Sequence, residues 1–425
     1  MLGWEFPPYI SGGLGTACYG LTKAMDKLGI KVTFVLPRGA GNPSGSVRTV
    51  GANDLRVVTQ SERFANIKFR IIPSGLRPYA GVGSNRCENT VNHYSGQKTM
   101  LQIADSGPML GPDNYTGDIL SAVSEYADRA AIIAATEDFD VVHSHDWMTY
   151  PAGEAVSRQN HKPLVVHVHS TEFDRSGEHV NQTVYNIERM GMHAAAKVIT
   201  VSNFEKNTIL HHYGIPSEKV EVVYNAAEYN GKVLPHVSLD KKDKIVLFLG
   251  RITMQKGPEY FLAAAKKVLE EINNVKFVMA GNGDMMHTII EMAAQMGIGN
   301  KVLFTGFLNG KDVDRAYQMA DLYVMPSVSE PFGISSLEAM NRNVPVLMSK
   351  QSGVAEVVTH ALKVDFWDIN EMANKMIAVL KRPPLQKTLR TNGFHEASKF
   401  TWEDSAKKIA KIYDEVIAQA QNKED

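Results

Sequence analysis

Lys244-Ile-Val-Leu-Phe-Leu-Gly-Arg-Ile-Thr-Met-Gln-Lys-Gly257 is the segment from which the architecture is read. Lys244 to Leu249 is a short apolar run of strand length with no polar alternation, which predicts a strand buried on both faces of a parallel sheet. Gly250-Arg251 breaks the run and Lys256-Gly257 opens a helical stretch, so the unit is strand, loop, helix. The same rhythm continues downstream at Val275 to Ala280, Lys301 to Phe304, Leu322 to Met325 and Val344 to Met348. It is already present upstream, at Lys31 to Leu36, Phe139 to His143, Pro163 to His167, Val198 to Val201 and Lys219 to Val223. Strands alternating with amphipathic helices predict parallel sheets covered on both faces.

Between the two series, Tyr229 to Asp243 carries Gly231, Pro235 and a Lys/Asp cluster, which reads as a linker. The expected organisation is therefore two doubly wound α/β domains, residues 1–228 and 244–401, joined by 229–243. Leu14, Ala17, Cys18, Leu21, Met25 and Leu28 share one face of a first helix, and Gly29 supplies its stop. Only Met1 to Trp4 precede the turn into that helix, a short allowance for a first strand. Pro43 to Gly117 is Gly- and Asn-rich, lacks periodicity, and reads as loops and insertions of no assignable role. Trp402 to Ala420 is amphipathic, with Ala406, Ile409, Ile412, Tyr413 and Val416 on one side.

The chain has 425 residues, 44% of them hydrophobic, which exceeds one ordinary core and favours two domains. Its formal charge of −1 gives no global field for nucleic acid or an anionic membrane, so any anion site must be local. Cys18 and Cys87 have no CxxC or Cys/His spacing, which argues against a disulfide framework or a structural zinc of that type. No apolar run approaches the roughly 20 residues of a membrane span. A soluble cytoplasmic protein is expected, and the sequons at Asn114 and Asn181 are then chance matches.

Candidate chemistry collects where strands end. Ligands of open α/β sheets bind beyond the carboxyl ends of the strands, so Arg251 and Lys256 are placed to hold a diphosphate rather than to form a solvated surface pair. Lys256 at a helix start opposes the helix dipole, a cost that an anion would offset. Ala280-Gly-Asn-Gly-Asp284 brings bare backbone at Gly281 and Gly283 to the same edge, or is simply a turn. Ser11-Gly-Gly-Leu-Gly15 offers Gly13, Gly15 and helix-end amides to phosphate, or is a tight strand-to-helix turn. It is a poor dinucleotide fingerprint, with Cys18 at the last position. In Glu330-Pro-Phe-Gly-Ile-Ser-Ser-Leu-Glu338, Pro331 and Gly333 break structure and Ser335 and Ser336 can cap a helix whose amides would meet phosphate oxygens. Glu330 would face the crevice, and Glu338 in the first turns could accept hydrogen bonds from ribose hydroxyls.

His143-Ser-His145-Asp146-Trp147 and His167-Val-His169 end two strands of the first series, where histidine can orient or stabilise a reacting group. The recurring His-x-His spacing also raises metal ligation, but no third ligand set is evident, so no metal site is expected. Asp312-Val-Asp314 has the Asp-x-Asp form of a metal clamp but opens a helical stretch, where i and i+2 side chains diverge.

Taken in order, these segments resemble the retaining GT-B glycosyltransferases of family 4, with a likeness to glycogen and starch synthases. The likeness covers most of the chain and is most specific at Glu330 and Glu338. It implies two Rossmann-like domains facing a central cleft: an N-terminal acceptor domain, onto which helix 402–420 returns, and a C-terminal nucleotide-sugar domain. It implies a donor of the ADP-, UDP- or GDP-glucose class, a carbohydrate acceptor, no nucleic-acid partner and no required cofactor. Glu330 would contact the donor sugar and Glu338 the ribose. Arg251 and Lys256 would neutralise the departing diphosphate, helped by amides near Gly13, Gly333, Ser335 and Ser336. His169 would lie beside the anomeric carbon and Asp146 near sugar or acceptor. The chain departs from the pattern at Ile10, where bacterial ADP-glucose enzymes carry Lys, at Asn343, where Gly is usual, and at Ala196, where many relatives have Asp.

An α-glucan acceptor is the expected reading. The alternatives are a surface-polysaccharide, lipid or sugar-phosphate acceptor, or a silent nucleotide-sugar-binding protein. The intact Glu330, Glu338, Arg251, Lys256 and His169 argue against silence, and the incomplete Gly fingerprint argues against a dehydrogenase.

Overall fold

A computed structural model describes residues 1–7, 12–38, 64–73, 117–228, 243–308 and 310–424. The N-terminal strands are β1 (Val32–Arg38), β2 (Ile67–Pro73), β3 (Val142–His145), β4 (Leu164–Val168), β5 (Lys197–Thr200) and β6 (Val220–Val222). The C-terminal strands are β7 (Lys244–Leu249), β8 (Val275–Ala280), β9 (Val302–Gly306), β10 (Leu322–Met325), β11 (Val346–Ser349) and β12 (Leu362–Val364). All pairings are parallel, as continuous apolar runs such as Leu164-Val-Val166 and Val246-Leu-Phe248 require.

The C-terminal sheet runs β12-β11-β10-β7-β8-β9, so the order reverses between β7 and β10. That reversal opens a crevice at the carboxyl ends of these two strands. In the N-terminal half β1 pairs with β2, and β3-β4-β5-β6 form a four-stranded sheet. Leu2 joins the two by parallel bridges to Val35 and to Ser144, so the short first segment contributes isolated bridges rather than a strand. This half is therefore doubly wound about Leu2.

Two strand readings need correction. Ile67–Pro73 is a strand inside the region read as loops; Ile-Lys-Phe-Arg-Ile alternates apolar and polar residues, a strand signal that the Gly- and Asn-rich composition around it obscured. β3 runs from Val142 to His145, so the strand expected over Phe139 to His143 starts later and extends to His145, with both histidines buried. Nothing is described at residues 229–242, within the expected linker, nor over most of 43–117.

Helix Trp402–Glu424 lies against helix Gly13–Lys27, where a Cβ on Gly20 would meet the Trp402 ring at 2.3 Å. Ser405 donates to the Tyr224 carbonyl (2.7 Å), and Lys27 pairs with Glu403. The two halves touch across the cleft: Ser202 donates to the Pro331 carbonyl (2.6 Å), Ser329 to Asp174 (2.5 Å), and Glu356 accepts from the Asn203 amide (2.8 Å). Asn343 holds φ 58° between helix and strand, a left-handed conformation that Asn tolerates.

Candidate active site

β7 delivers Gly250-Arg251 to the crevice, and the turn Met254–Lys256 precedes helix Pro258–Glu271. Gly257 makes the corner at φ 64°, and a Cβ there would meet the Pro326 carbonyl oxygen at 2.2 Å, so only glycine lets the β7 loop lie this close to the end of β10. The closeness joins two of the expected residues. Lys256 Nζ stands 2.6 Å from Glu330 Oε2, which also accepts from Ser327 Oγ at 3.2 Å. Glu330 is buried and its backbone is clamped by bonds with Gln351 and Gly353. Arg251 reaches back to Gln255 Oε1 at 3.2 Å.

Gly333, at φ 106°, caps helix Ile334–Asn341. The expected capping by Ser335 and Ser336 is corrected: both lie in the first turn with their hydroxyls turned to protein, Ser335 accepting from Tyr323 (2.8 Å) and Ser336 facing Met325 Sδ (3.4 Å). The Ser336 amide donates to the Gly333 carbonyl (3.0 Å), which leaves the earlier helix-end amides at this position without an intrahelical partner. Glu338 sits one turn further on, gripped by the Tyr317 hydroxyl (3.2 Å), and its carbonyl accepts from Arg342 (3.0 Å). Arg342 in turn pairs with Asp314 (2.5 Å) and covers the Tyr317 ring. Burial pushes the Glu338 carboxyl above its usual range. Asp314 is thus engaged with Arg342 and Asp312 with Arg315, so the two acids of the Asp-x-Asp segment diverge.

Gly281 and Gly283 do not present open backbone. A Cβ on Gly281 would meet the Gly250 carbonyl at 1.8 Å and one on Gly283 the Ile252 carbonyl at 2.2 Å, so these glycines let the β8 turn buttress the Arg251 loop. The first helix is also less open than expected: Gly13 is its first residue, but the Gly15 amide is taken by Glu5 Oε2 (3.1 Å) from ten residues upstream.

On the N-terminal side Asp146 leaves β3 with φ 58° and ψ 168°, a conformation a non-glycine residue holds only at a cost of about 1–3 kcal/mol. Its carboxylate accepts from the His169 amide (2.7 Å), which ties together the ends of β3 and β4. Burial pushes this carboxyl up to about 7. His169 Nε2 lies 3.0 Å from His145 Nδ1, and burial pulls the His169 imidazole down to about 3, so the ring is neutral near pH 7. The next helix, Glu172–Ser176, starts from a capping box between Thr171 and Asp174 and packs on the turn Met254–Lys256. Asp146 and His169 thus stand at the ends of β3 and β4, just ahead of the helix that packs on the Met254–Lys256 turn.

Sequence reasoning missed the supports: Arg175, which pairs with Glu172 (3.1 Å) and Glu188 (2.5 Å); Asp174, which takes Ser329 from the other domain; and Tyr317 with Arg342. Thr171-Glu-Phe-Asp174 carried a legible capping-box signal, whereas the others pair residues far apart in the chain. A cavity of about 750 Å³ lies elsewhere, lined by residues such as Thr33, Glu137, His143 and Tyr413 and by none of the candidate site residues.

Two family models match the chain: Glycosyltransferase Family 4 over residues 116–229 and Glycosyl transferases group 1 over residues 234–396. An uncharacterized glycosyltransferase of Methanocaldococcus jannaschii, MJ1607, is 29% identical, with 97% of each chain covered. Glycogen synthase of Mycobacterium tuberculosis is 22% identical over 97% of this chain and 93% of its own. The structure of Anabaena Alr3699/HepE in complex with UDP-glucose superposes with a TM-score of 0.69 at 18% identity, covering 97% and 98% of the two chains. No described helix is long and apolar enough to cross a membrane. With two all-parallel α/β domains and a family domain matched in each half, the chain belongs to the GT-B glycosyltransferases.

Proposed function

We propose that this glycosyltransferase moves glucose, with retention of anomeric configuration, from a nucleotide diphosphate glucose to a hydroxyl of an α-glucan. The observation that carries the proposal is the Lys256–Glu330 pair at the β7/β10 reversal, 2.6 Å apart, where the fold directs ligands. In this reading Glu330 binds the sugar hydroxyls, and Lys256 and Arg251 meet the diphosphate with the helix-end amides behind Gly333. The fixed cations and dipoles stabilise negative charge as it develops on the leaving group, which is where preorganised electrostatics act most strongly. Glu338 takes the ribose. Neutral His169, tied through its amide to Asp146, lies against the sugar, and the leaving phosphate accepts the acceptor's proton. Residues 1–228 with the returning helix form the acceptor domain, and 244–401 form the donor domain.

The glucan acceptor is supported by the Trp4-Glu-Phe-Pro-Pro and Gly-Gly-Leu-Gly segments and by the likeness to a glycogen synthase over most of both chains. UDP-glucose in the HepE complex, in a similar fold, fits a donor of the nucleotide-sugar class. The test is nucleotide release from ADP-, UDP- and GDP-glucose, each with glycogen, maltooligosaccharides or fructose 6-phosphate, without added divalent metal. Release driven by glucans with an α-linked product is expected. Release driven only by fructose 6-phosphate, or only when a divalent ion is added, contradicts the proposal.

A further inference from the structure

The N-terminal sheet carries more imidazole than the cleft uses. His143 and His145 on β3 and His167 on β4 are at most 2% exposed, and their side chains share one face of the sheet. Their ring centroids lie 4.4, 5.3 and 5.4 Å apart. His143 spends Nδ1 on the Tyr413 hydroxyl and His145 spends Nδ1 on His169. Nε2 of both rings, and both nitrogens of His167, have no hydrogen-bond partner among the described residues. Leaving a buried polar group unsatisfied costs about 1–3 kcal/mol each, so these orphaned nitrogens, at least one on each ring, call for a partner. One nitrogen from each ring lies within 4.8 Å of the others.

We propose that His143, His145 and His167 hold one divalent transition-metal ion, zinc by preference, through three imidazole nitrogens, forming a structural site in the sheet behind the cleft. His167 supplies the third ligand because it pairs with His145 across β3 and β4. Metal-binding histidines usually fix the ring by hydrogen-bonding one nitrogen and donate the other to the ion. His143 with Tyr413 and His145 with His169 have this arrangement. Burial and the neighbouring imidazoles hold all three rings well below the usual histidine range, hence neutral and able to donate a lone pair. Three nitrogen donors suit zinc, and also nickel or copper, better than magnesium or calcium. Zinc–nitrogen bonds of about 2.0–2.1 Å in a tetrahedral centre set the nitrogens roughly 3.3 Å apart. The rings are stacked or nearly so, with planes inclined by only 17–30°, so binding requires each ring to rotate until one in-plane lone pair points at the common centre. The ion would sit behind His169 through His145, apart from the cations assigned to the diphosphate.

The test uses the full chain, unfolded in chelator and refolded with zinc or cobalt(II) or with neither, because the site is closed to solvent. Bound metal is then measured by mass spectrometry, and the cobalt form by its visible spectrum. The expected result is about one zinc per chain, a higher unfolding midpoint with zinc, and a visible cobalt spectrum distinct from that of the aqueous ion. His167→Gln and His143→Gln should each weaken zinc binding by at least about tenfold, since even loss of an outer-shell partner costs 10- to 100-fold. If a variant fails to fold, the wild-type cobalt spectrum still decides. A wild-type chain that refolds equally well and retains no zinc or cobalt overturns the proposal, as does zinc retained at wild-type affinity by folded His167→Gln.

Discussion

Lys256 and Glu330, 74 residues apart in the chain, form an ion pair of 2.6 Å at the point where the strand order of the C-terminal sheet reverses. The two charges hold each other in position before any ligand arrives, so neither acts alone. Lys256→Ala is expected to lower turnover on the order of 100- to 1000-fold, the cost of removing one preorganised stabilising group. Glu330→Gln should also lose activity, and the double variant should lose less than the product of the two, because residues in contact are not additive. Steady-state rates of the four proteins check this, and multiplicative losses would show that the pair acts as two separate groups.

Glu338 depends on neighbours that carry no expected chemistry. Tyr317→Phe removes a donor to its carboxylate, and Arg342→Ala removes the bridge to Asp314. Hydrogen bonds to charged groups contribute about 1.5–3 kcal/mol, so a rise of roughly tenfold in donor KM is expected, with kcat changed much less. A fall in kcat at constant KM would place these residues in the chemistry instead of the ribose subsite.

Glu205 is a buried carboxyl beside Asp174, and burial first, then that acidic neighbour, pushes it well above the usual carboxylate range. The folded state therefore keeps this proton at pH values where the unfolded chain has lost it. The contribution to stability is full below the unfolded value and is lost as pH rises through the folded one. Wild-type stability should fall with increasing pH above the carboxylate range relative to Glu205→Gln, which cannot titrate. Parallel urea midpoints for the two proteins from pH 5 to 8 would remove the assignment.

Gly257→Ala forces a side chain into a left-handed corner and against the Pro326 carbonyl. A loss of about 1–3 kcal/mol in stability is expected. Activity should also fall at temperatures where the variant remains folded, because relief of the clash moves Lys256 away from Glu330. Urea unfolding together with turnover at low temperature measures both effects.

The parts of the molecule that local sequence determines were legible before the structure. Runs such as Val246-Leu-Phe248 read directly as buried parallel strands, and Gly29 and Asn343 marked turns through their left-handed backbone. The order of groups along the C-terminal edge followed from the strand ends. Contacts between distant segments were not legible. Glu5 takes the Gly15 amide, and Gly281 and Gly283 are required by the carbonyls of Gly250 and Ile252, which lie on another loop. Ser335 and Ser336 had the composition of caps, but Gly333 at φ 106° starts the helix two residues earlier and turns both hydroxyls inward. The strand expected to end at His143 runs on to His145, because the sheet buries a polar side chain that composition alone places in a loop.

Nucleoside diphosphate affinity probes the proposed leaving-group pocket with no acceptor or turnover involved. Calorimetric titration of wild type, Lys256→Ala and Arg251→Ala with ADP, UDP and GDP should give, for the preferred nucleotide, a Kd at least tenfold weaker in each variant, about 1.4 kcal/mol. Equal affinity in all three proteins would mean that the diphosphate does not bind between Arg251 and Lys256.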